Sequence, residues 1–413
     1  MSEAAKPKKK KRVNVRRPDV MARVEAEVAN HYESSVVERL RKQGGELTLG
    51  NTTVYLAKSF GFCYGVERAI DLAYAARRVF DNNRIFLIGE IIHNPEVNRQ
   101  LDEMGIITLP WVDMDEQYDE LTEDDVVIVP AFGAPLHFMD KIDRQGAQIV
   151  DTTCGDVMKV WRRVRGYAKE GVTSIIHGKA GHEETRATAS RALGDAGDGH
   201  YLVILTLDDA EFVCDYLRGK VDGAALLERF KDGVSPGFDP EVHMAKVGVA
   251  NQTTMLKSET ETIQTMIKDA MVDRDGSEEN YRFFDTICGA TQERQDALFE
   301  MLKKKMDLML VVGGYNSSNT THLVEIGEKL LPSFFIRDAG CLTSLEEIVH
   351  FDLERKEEIS SGYAEVFASD RPVIVGITAG ASCPANLIEE TILRVFELRG
   401  IPREEVRKSS QLD

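Results

Sequence analysis

The sequence predicts an α/β protein made of three modules, each a parallel β-sheet covered by helices. From about residue 50 onward, short apolar stretches typical of strands alternate with stretches typical of helices, which is the pattern of parallel sheets covered by helices. Three cysteines also lie in similar settings, each after a strand pattern and before a helix pattern. This repetition suggests three modules that share something at a common centre. The predicted strands are 53–57, 85–88, 126–130, 147–151, 173–177, 201–205, 245–250, 282–286, 308–312, 333–336 and 373–378.

Length and composition limit the class of protein. A chain of 413 residues is long for one core and predicts several domains. The net charge of −18 argues against a nucleic-acid binder driven by bulk electrostatics, whereas a local pocket can still bind an anionic substrate. No run of 18 apolar residues and no secretory signal pattern are visible. We therefore expect no membrane segment, no nucleic-acid partner and a cytoplasmic location, with the plastid as the alternative.

The expected domain boundaries follow the strand pattern and the composition. The N-terminal stretch is polar, with four lysines and an arginine at positions 8–12, and a helix is predicted over 20–43. The predicted segments are a basic tail and helical extension (1–50), three α/β modules (51–153, 154–285 and 286–385), and a C-terminal helix and tail (386–413).

Cys63, Cys154 and Cys288 are the candidate chemical centre of the chain. Cys63 lies between two glycines, and the other two share the pattern Asp-Thr-x-Cys-Gly. A helix N-terminus supplies positive potential and N–H groups, which favour a thiolate. Cys214 and Cys341 lack this setting and are interpreted as buried small hydrophobes. Disulfides are not expected in this context.

Three dispersed thiolates suggest two kinds of metal site. A zinc site is usually built from local ligand pairs, and no CxxC pair occurs here. A 4Fe-4S cluster held by three cysteines fits better. Its fourth iron would stay open and could bind substrate.

Several predicted strands end in small or polar residues, where ligands bind in α/β sheets. The loops 313–320 and 379–382, with His93-Asn94 and His182, predict a cradle for phosphate or diphosphate. Ordinary turn and N-cap chemistry is the alternative for any one loop. The chain has no Gly-Lys-Ser/Thr loop and no GxGxxG, which disfavours P-loop NTPases and dinucleotide enzymes. An open iron beside this cradle, His182, Glu184 and Thr253 suggests reduction or dehydration of a phosphorylated small molecule.

The motifs together resemble one known enzyme family. They are Gly61-Phe62-Cys63-x-Gly-Val, Ile92-His93-Asn94, Asp151-Thr-Thr-Cys154, Gly181-His182-Glu183-Glu184-Thr185, Gln252-Thr253-Thr254, Asn316-Ser317-Ser318-Asn319 and Ala379-Gly380-Ala381-Ser382. In this order, from about residue 50 to 395, the chain resembles the 4-hydroxy-3-methylbut-2-enyl diphosphate reductase family, which catalyses the last step of the methylerythritol phosphate route to isoprenoids. The residues 131–133 and 250–257 and the long N-terminal segment resemble the plant and cyanobacterial branch.

The resemblance implies a fold, a cofactor and a reaction. It implies a pseudo-threefold arrangement of the modules around a central 4Fe-4S cluster, and reductive removal of the substrate hydroxyl by two electrons and two protons. The products would be isopentenyl and dimethylallyl diphosphates, and the electron donor ferredoxin or flavodoxin. It assigns cluster ligands (Cys63, Cys154, Cys288), diphosphate-binding residues (His93, His182, Ser317, Ser318, Asn319, Ser382) and residues near the substrate hydroxyl (Thr253, Glu184). Glu184, Thr253 and His182 are the implied catalytic residues.

The chain departs from the family pattern at two positions. Many bacterial members have Ala-His-Gly where this chain has Ala131-Phe132-Gly133, so one diphosphate-binding histidine is missing. His137 is a nearby candidate to replace it. Gly155 follows Cys154 where the family usually has proline, which changes the local backbone.

Two other classes of protein share part of these features. An enzyme of the quinolinate-synthase kind also combines three cysteines with three α/β modules, but the loop 316–319 and the His182–Glu184 pair favour the reductase. A cluster-bearing sensor or nucleic-acid adaptor would use the basic residues 7–17, which the acidic body of the chain opposes. Deletion of residues 1–20 separates these classes, because an adaptor would lose its binding and the enzyme would keep its turnover.

Overall fold

Helices and strands alternate along most of the chain in the computed structural model, which describes residues 12–111, 115–284, 286–344, 347–362 and 370–409. The lysines at positions 8–11 and Asp285, at the end of a predicted strand, lie outside the described residues. The helices are α1 Pro18–Tyr32, α2 Ser35–Lys42, α3 Tyr64–Val79, α4 Pro95–Glu103, α5 Asp115–Asp119, α6 Leu136–Gln145, α7 Gly155–Lys169, α8 Glu183–Ala192, α9 Leu207–Leu217, α10 Gly223–Arg229, α11 Pro240–His243, α12 Lys257–Asp275, α13 Gly289–Met301, α14 Ser318–Glu328, α15 Ala385–Leu398 and α16 Arg403–Ser409, with a 3₁₀ turn at Ala339–Cys341.

The strands form three main sheets and one hairpin, so the predicted α/β class is confirmed. Every strand predicted from the sequence is present within a few residues. The strands are β1 Glu46–Leu49, β2 Thr52–Leu56, β3 Ile85–Ile88, β4 Ile106–Leu109, β5 Val126–Val129, β6 Gln148–Asp151, β7 Thr173–His177, β8 Tyr201–Ile204, β9 Val247–Asn251, β10 Tyr281–Phe283, β11 Leu308–Val312, β12 Ser333–Ile336, β13 Glu347–Asp352, β14 Glu357–Gly362 and β15 Val373–Ala379.

Sheets I and II are fully parallel. Sheet I has the order β4-β3-β5-β6, and sheet II has the order β10-β9-β7-β8. All residues of β3, β5 and β7 are buried, as expected for strands covered by helices on both faces. Parallel strands all end on the same edge of a sheet, so the loops after them can be brought together there.

Sheet III combines strands from the N-terminal and C-terminal parts of the chain, which the predicted module boundaries place in different segments. Its order is β1-β2-β15-β11-β12, and only the β1–β2 pair is antiparallel. Thr52 in β2 is the partner of Val373 in β15. The strand predicted at 53–57 therefore lies in one sheet with the strands of module 286–385, whereas the predicted boundaries assign it to module 51–153. The physical reason is long-range pairing, which local hydrophobic patterns do not encode.

The contacts between residues divide the chain into two compact units. The first unit holds residues up to Val15, Ala76–Ile91 and Asp102–Cys288, and therefore sheets I and II. The second unit holds Arg16–Ala75, Ile92–Leu101 and the residues from Gly289 on, and therefore sheet III and the β13–β14 hairpin.

The N-terminal extension forms two helices where the sequence predicts one over 20–43. The chain is extended at Glu33 and Ser34, between α1 and α2. Ser34 caps α2, because its Oγ accepts a hydrogen bond of 3.0 Å from the N–H of Val37. The same hydroxyl donates to Glu389 of α15 at 2.6 Å. A serine in this position favours a helix start over a continuous helix.

No helix among the described residues has both the length and the apolar character needed to cross a membrane.

Candidate functional site

Each of the three candidate cysteines lies directly at the start of a helix, as the sequence predicts. Cys154 is the N-cap of α7, and Cys63 and Cys288 directly precede α3 and α13. Their backbone N–H groups donate to carbonyl oxygens of distant loops: Cys63 to Ala381 (3.2 Å), Cys154 to Ala131 (2.8 Å) and Cys288 to Thr253 (3.1 Å). These bonds fix each cysteine loop against a second strand-end loop. The thiols thus lie where helix N-termini favour the thiolate.

Burial separates these three cysteines from the others. Cys63, Cys154 and Cys288 are partly exposed, whereas Cys214, Cys341 and Cys383 are buried. Burial raises the pKa of the Cys214 thiol to about 11 and that of Cys383 further. A thiolate is the form that binds metals, so Cys214 and Cys383 are poor candidates for ligands.

In the first unit, Cys154 and Cys288 share two charged neighbours on α7. Partial burial opposes ionisation of Asp156, but hydrogen bonds from Lys159 and from the Cys288 thiol hold the pKa of its carboxyl below the usual range. Asp156 raises the pKa of Lys159, and the charges of Cys154 and Cys288 act in the same direction. The two cysteines therefore lie close enough to one ammonium group for their charges to act on it. Sequence reasoning missed Asp156 and Lys159, which lie in the first two turns of α7 after Cys154.

Glu184 and Thr253 form a buried pair in the first unit. Glu184 is 3% exposed and Thr253 is 5% exposed. Glu184 accepts hydrogen bonds from the backbone N–H of Thr253 (2.6 Å) and from its hydroxyl (3.0 Å). The loop after β9 is thereby joined to the first turn of α8. The structure thus brings together two of the residues that the sequence places near a substrate hydroxyl.

His182 is positioned by the start of α8. Its Nδ1 accepts a hydrogen bond of 3.1 Å from the N–H of Glu184, so it is the N-cap of that helix. The neutral ring therefore carries its proton on Nε2, where it can donate to an anion. Phe132 packs edge-on against His182, with ring centroids 6.3 Å apart. The Phe132 side chain thus contacts the His182 ring, and it has no polar atom that could replace a histidine as hydrogen-bond donor.

His137 lies in a separate cavity of the first unit. Its ring lies tilted against that of Phe138, with centroids 4.4 Å apart. The cavity has a volume of about 530 Å³ and is also lined by Gly181 and Arg186. Burial and the charge of Arg186 lower the pKa of His137. That His137 replaces the missing histidine therefore stays a prediction.

Gln252 connects the loops that carry Glu184 and Thr253. Its Oε1 accepts from Thr185 Oγ1 (3.1 Å) and from the N–H of Lys179 (3.2 Å), and its Nε2 donates to Thr254 Oγ1 (2.8 Å). The side chain is 1% exposed. A buried amide that is hydrogen-bonded through both its oxygen and its nitrogen fixes the relative position of the two loops.

In the second unit, the loop after β11 forms a hydroxyl-rich cradle at the start of α14. Ser317 is the N-cap, and its Oγ accepts from Thr320 Oγ1 at 2.9 Å. Ser318 and Asn319 are 3% and 2% exposed. Ser318 Oγ and Asn319 Nδ2 are buried without a hydrogen-bond partner among the described residues. Buried donors of this kind are normally satisfied, so the cradle is suited to an anionic ligand at a helix N-terminus.

His93 and Ser382 border the same cradle. Ser382 Oγ lies 3.2 Å from the carbonyl oxygen of His93 and 3.4 Å from Ser317 Oγ. Asn319 Oδ1 accepts from the N–H of Ala381 at 2.9 Å, and the carbonyl of Ala381 accepts from Cys63. One candidate cluster ligand is therefore hydrogen-bonded to the loop that holds the cradle together.

Two glycines allow the cradle loops to approach each other closely. A Cβ on Gly314 would lie 2.3 Å from the carbonyl oxygen of His93, and one on Gly380 would lie 1.9 Å from Thr320 Oγ1. Both contacts are far closer than real Cβ atoms make, so these positions require glycine. The glycines of the predicted cradle loops 313–320 and 379–382 thus allow loop-to-loop contact.

Arg294 is a further residue of the second unit that sequence reasoning missed. It is 3% exposed, lies on α13, and donates to the backbone carbonyl of Gly61. This contact joins the helix after Cys288 to the loop of Cys63. Only its position six residues after Cys288 could have indicated it.

These features define an α/β protein with an anion cradle at strand ends and with thiols, at the starts of helices, that are suited to a soft metal. The LytB protein family matches residues 54–396. The chain belongs to this family.

Similar proteins carry one common name. The chain is 44% identical over 382 residues to the 4-hydroxy-3-methylbut-2-enyl diphosphate reductase of Thermosynechococcus vestitus, covering 92% of each chain. It is 45% identical over 391 residues to the enzyme of the same name from Gloeobacter violaceus, covering 92% of this chain and 91% of that protein. These relatives are cyanobacterial, as the resemblance to that branch predicts.

Solved structures of similar proteins have the same fold. A structure of (E)-4-hydroxy-3-methyl-but-2-enyl diphosphate reductase, described as the terminal enzyme of the non-mevalonate pathway, has a TM-score of 0.51 and 25% identity. It covers 83% of this chain and 99% of its own. The Plasmodium falciparum reductase has a TM-score of 0.61 and 21% identity, covering 84% of this chain and 90% of that chain.

Proposed function

We propose that this chain catalyses the reductive removal of the hydroxyl group of 4-hydroxy-3-methylbut-2-enyl diphosphate. Two electrons and two protons convert the substrate to isopentenyl or dimethylallyl diphosphate and water. The observation that carries the proposal is the buried cradle, where Ser318 Oγ and Asn319 Nδ2 have no hydrogen-bond partner in the part of the chain that the structure describes. A diphosphate supplies acceptor oxygens for such donors, and it is the group that the names of the relatives specify.

The cysteines fit a 4Fe-4S cluster held by Cys63, Cys154 and Cys288. All three are partly exposed at helix starts. The charges of Cys154 and Cys288 both raise the pKa of Lys159. Three soft ligands without a local pair match a cluster better than a zinc site. When bound, the cluster would pass the electrons of an external donor to the substrate. The chain itself contributes the thiolates and the hydrogen bonds that hold their loops.

Glu184 is the proposed proton donor to the departing hydroxyl. Hydroxide is a poor leaving group, and protonation converts it to water. The carboxyl of Glu184 is held in one place by the two hydrogen bonds from Thr253. Thr253 thus orients the acid and lies where it can contact the substrate hydroxyl. His182, with its proton on Nε2, is positioned to donate a hydrogen bond to the substrate diphosphate.

The electrons come from a separate carrier in this proposal. The sequence has no GxGxxG motif for a bound dinucleotide. A one-electron protein carrier of the ferredoxin or flavodoxin class supplies the two electrons in succession. Anaerobic turnover with a reduced chemical mediator tests the reaction independently of the carrier.

Replacement of each of the six cysteines by serine tests the cluster ligands. Cys63→Ser, Cys154→Ser and Cys288→Ser should each lose most of the iron and sulfide that the parent protein binds after anaerobic purification. Cys214→Ser, Cys341→Ser and Cys383→Ser are the matched controls, because these three thiols are buried. Full cluster content in any of the first three variants would refute the assignment.

The Ser318→Ala variant tests the cradle with little risk to the fold. Because Ser318 Oγ makes no hydrogen bond to the described protein, its removal should leave the melting temperature unchanged. Loss of one charge-assisted hydrogen bond to the diphosphate should weaken substrate binding roughly tenfold to a hundredfold. Calorimetry with the substrate measures this change. Ser360→Ala, on the exposed strand β14, is the control. Equal substrate affinity in parent and Ser318→Ala would place the diphosphate elsewhere.

A further inference from the structure

A basic pocket of the first unit contains none of the cradle residues, Glu184 or Thr253, although Lys159 lines it and is also a neighbour of Cys154 and Cys288. It has a volume of about 560 Å³ and lies along one side of α7. Its charged lining consists of five cationic side chains and one carboxylate: Arg12, Lys159, Arg162, Arg165, Arg191 and Asp151. The whole chain carries a net charge of −18. This pocket therefore carries a local excess of positive charge on an otherwise acidic protein.

Arg191 lies deep in this pocket with an unused donor. The residue is 5% exposed, and its guanidinium lies 4.1 Å from the centre of the Trp161 ring. Its Nη1 donates to Ser190 Oγ at 2.8 Å. Its buried Nε has no hydrogen-bond partner among the described residues. Burial and the nearby charge of Arg165 lower the pKa of Arg191 to about 10, and the charge of Asp151 opposes this shift.

The other cations stand around this buried arginine. Lys159, Arg162 and Arg165 follow one another at intervals of three residues on α7, so their side chains share one face of the helix. Arg12 lies 3.4 Å from Asp151, the one acidic residue of the lining. Arginine side chains are suited to bind phosphate oxygens in pairs. The repulsion among these cations is relieved best by an anion of more than one charge.

One wall of the pocket is apolar. Leu136 and Met139 of α6 line it together with Met158 of α7. Met158 is 36% exposed. A purely inorganic anion would leave this wall in water. A ligand with a charged end and a short hydrocarbon end would use both parts of the lining.

We propose that this pocket binds a small organic diphosphate ester, separately from the substrate cradle. The diphosphate lies against Arg191, Arg165 and Arg162, and the hydrocarbon part lies against Leu136, Met139 and Met158. The products of the proposed reaction belong to this chemical class. The pocket would therefore let the enzyme bind such a molecule while the cradle holds substrate.

Calorimetry of the anaerobically purified full chain with dimethylallyl diphosphate tests the proposal. The parent should show two binding sites. The double variant Arg162→Gln/Arg165→Gln should weaken one site by about tenfold to a hundredfold per lost arginine contact, and Ser318→Ala should weaken the other. Arg144→Gln, an exposed arginine at the end of α6 outside the pocket, is the matched control and should leave both sites intact.

Inorganic pyrophosphate separates the organic class from a simple anion site. It lacks the hydrocarbon part and should bind the pocket about tenfold more weakly than dimethylallyl diphosphate, since burial of a few methyl and methylene groups is lost. Equal affinities would overturn the organic assignment and leave an inorganic anion site. A single site in the parent, or an equal effect of Arg144→Gln, would overturn the pocket itself. Loss of carrier-driven turnover in the double variant without any change in diphosphate binding would assign this face to a protein partner instead.

Discussion

Glu184 has a role that the sequence leaves open between two interpretations. An acid in the first turn of a helix is commonly stabilised by the helix dipole, and Glu183 and Glu184 both occupy that turn of α8. The structure gives the N-cap role to His182, whose Nδ1 accepts from the Glu184 N–H. The carboxylate of Glu184 instead binds Thr253 and is almost fully buried. This arrangement favours the catalytic interpretation.

Glu184→Gln should therefore lower turnover by roughly 10²–10⁴-fold, the usual contribution of a positioned proton donor. The amide is nearly the same size as the carboxyl, so cluster content and substrate affinity should stay close to those of the parent. Steady-state kinetics with a chemical reductant, combined with iron counts, measure both effects.

Glu183→Gln is the internal control for this prediction. Its side chain is 28% exposed, and it should be nearly silent. Turnover of Glu184→Gln within about threefold of the parent would exclude the proton-donor role. A larger defect in Glu183→Gln than in Glu184→Gln would exclude it as well.

At the scale of the elements, the start of α7 explains why Gly155 is tolerated where the family usually has proline. Gly155 is the first residue of the helix, where the N–H has no partner within the helix in any case. Cys154 before it has φ −62° and ψ 143°, a conformation that is compatible with a following proline. A Cβ on Gly155 would meet nothing within 4 Å. Compared with proline, Gly155 leaves the unfolded chain more flexible, but the folded protein loses no contact.

Gly155→Pro should accordingly raise the free energy of unfolding by about 0.4–1 kcal/mol, because proline restricts the unfolded chain at a position whose native conformation it can adopt. Iron content should stay unchanged. Thermal and denaturant unfolding measure the stability. A loss of stability or of iron would show that the loop of Cys154 requires the freedom of glycine.

Elements with strong apolar patterns were predictable, and those without were not. The fully buried strands β3, β5 and β11 read as continuous apolar runs. The β13–β14 hairpin was not predicted, because β14 is largely exposed and polar. The break between α1 and α2 was missed since apolar residues continue across it, and only Ser34 marks the new helix start.

At the scale of the whole molecule, three histidines make stability depend on pH. Burial lowers the pKa of His137, His200 and His350, and the neighbouring His243 lowers that of His200 further. The unfolded chain binds these protons more readily than the folded protein. Their full contribution to stability is therefore present above the ordinary histidine pKa of 6.5. This contribution is lost as the pH falls through the lower pKa values of the folded protein.

The melting temperature should accordingly decrease between about pH 7 and pH 5. His200 stacks on His243 with centroids 3.5 Å apart, so protonation of both rings would place like charges together. His200→Gln should reduce the slope of melting temperature against pH, even if it lowers the melting temperature itself. An unchanged slope would show that His200 does not contribute to the pH dependence of the melting temperature.

The sequence motifs indicated many residues of the candidate site, but not the hydrogen bonds that connect them. The cysteines and the loop 316–319 stood out by their motifs, because glycine and hydroxyl residues follow strand ends there. Gln252 appeared in a motif, but its hydrogen bonds to Thr185 and Lys179 arise from tertiary contacts. Asp156, Lys159 and Arg294 carry no local pattern at all. Such residues become visible only when distant loops are brought together.

The pairing of Thr52 with Val373 has a consequence for synthesis on the ribosome. At roughly 5–20 residues per second, β2 waits tens of seconds after translation for the strand that completes sheet III. During that interval the loop of Cys63 lacks Ala381, to which it is hydrogen-bonded in the folded protein. The nascent chain therefore holds its first cysteine in an unfinished loop until nearly the whole polypeptide has been made. Assembly of the proposed cluster on Cys63 would therefore have to follow translation of most of the chain.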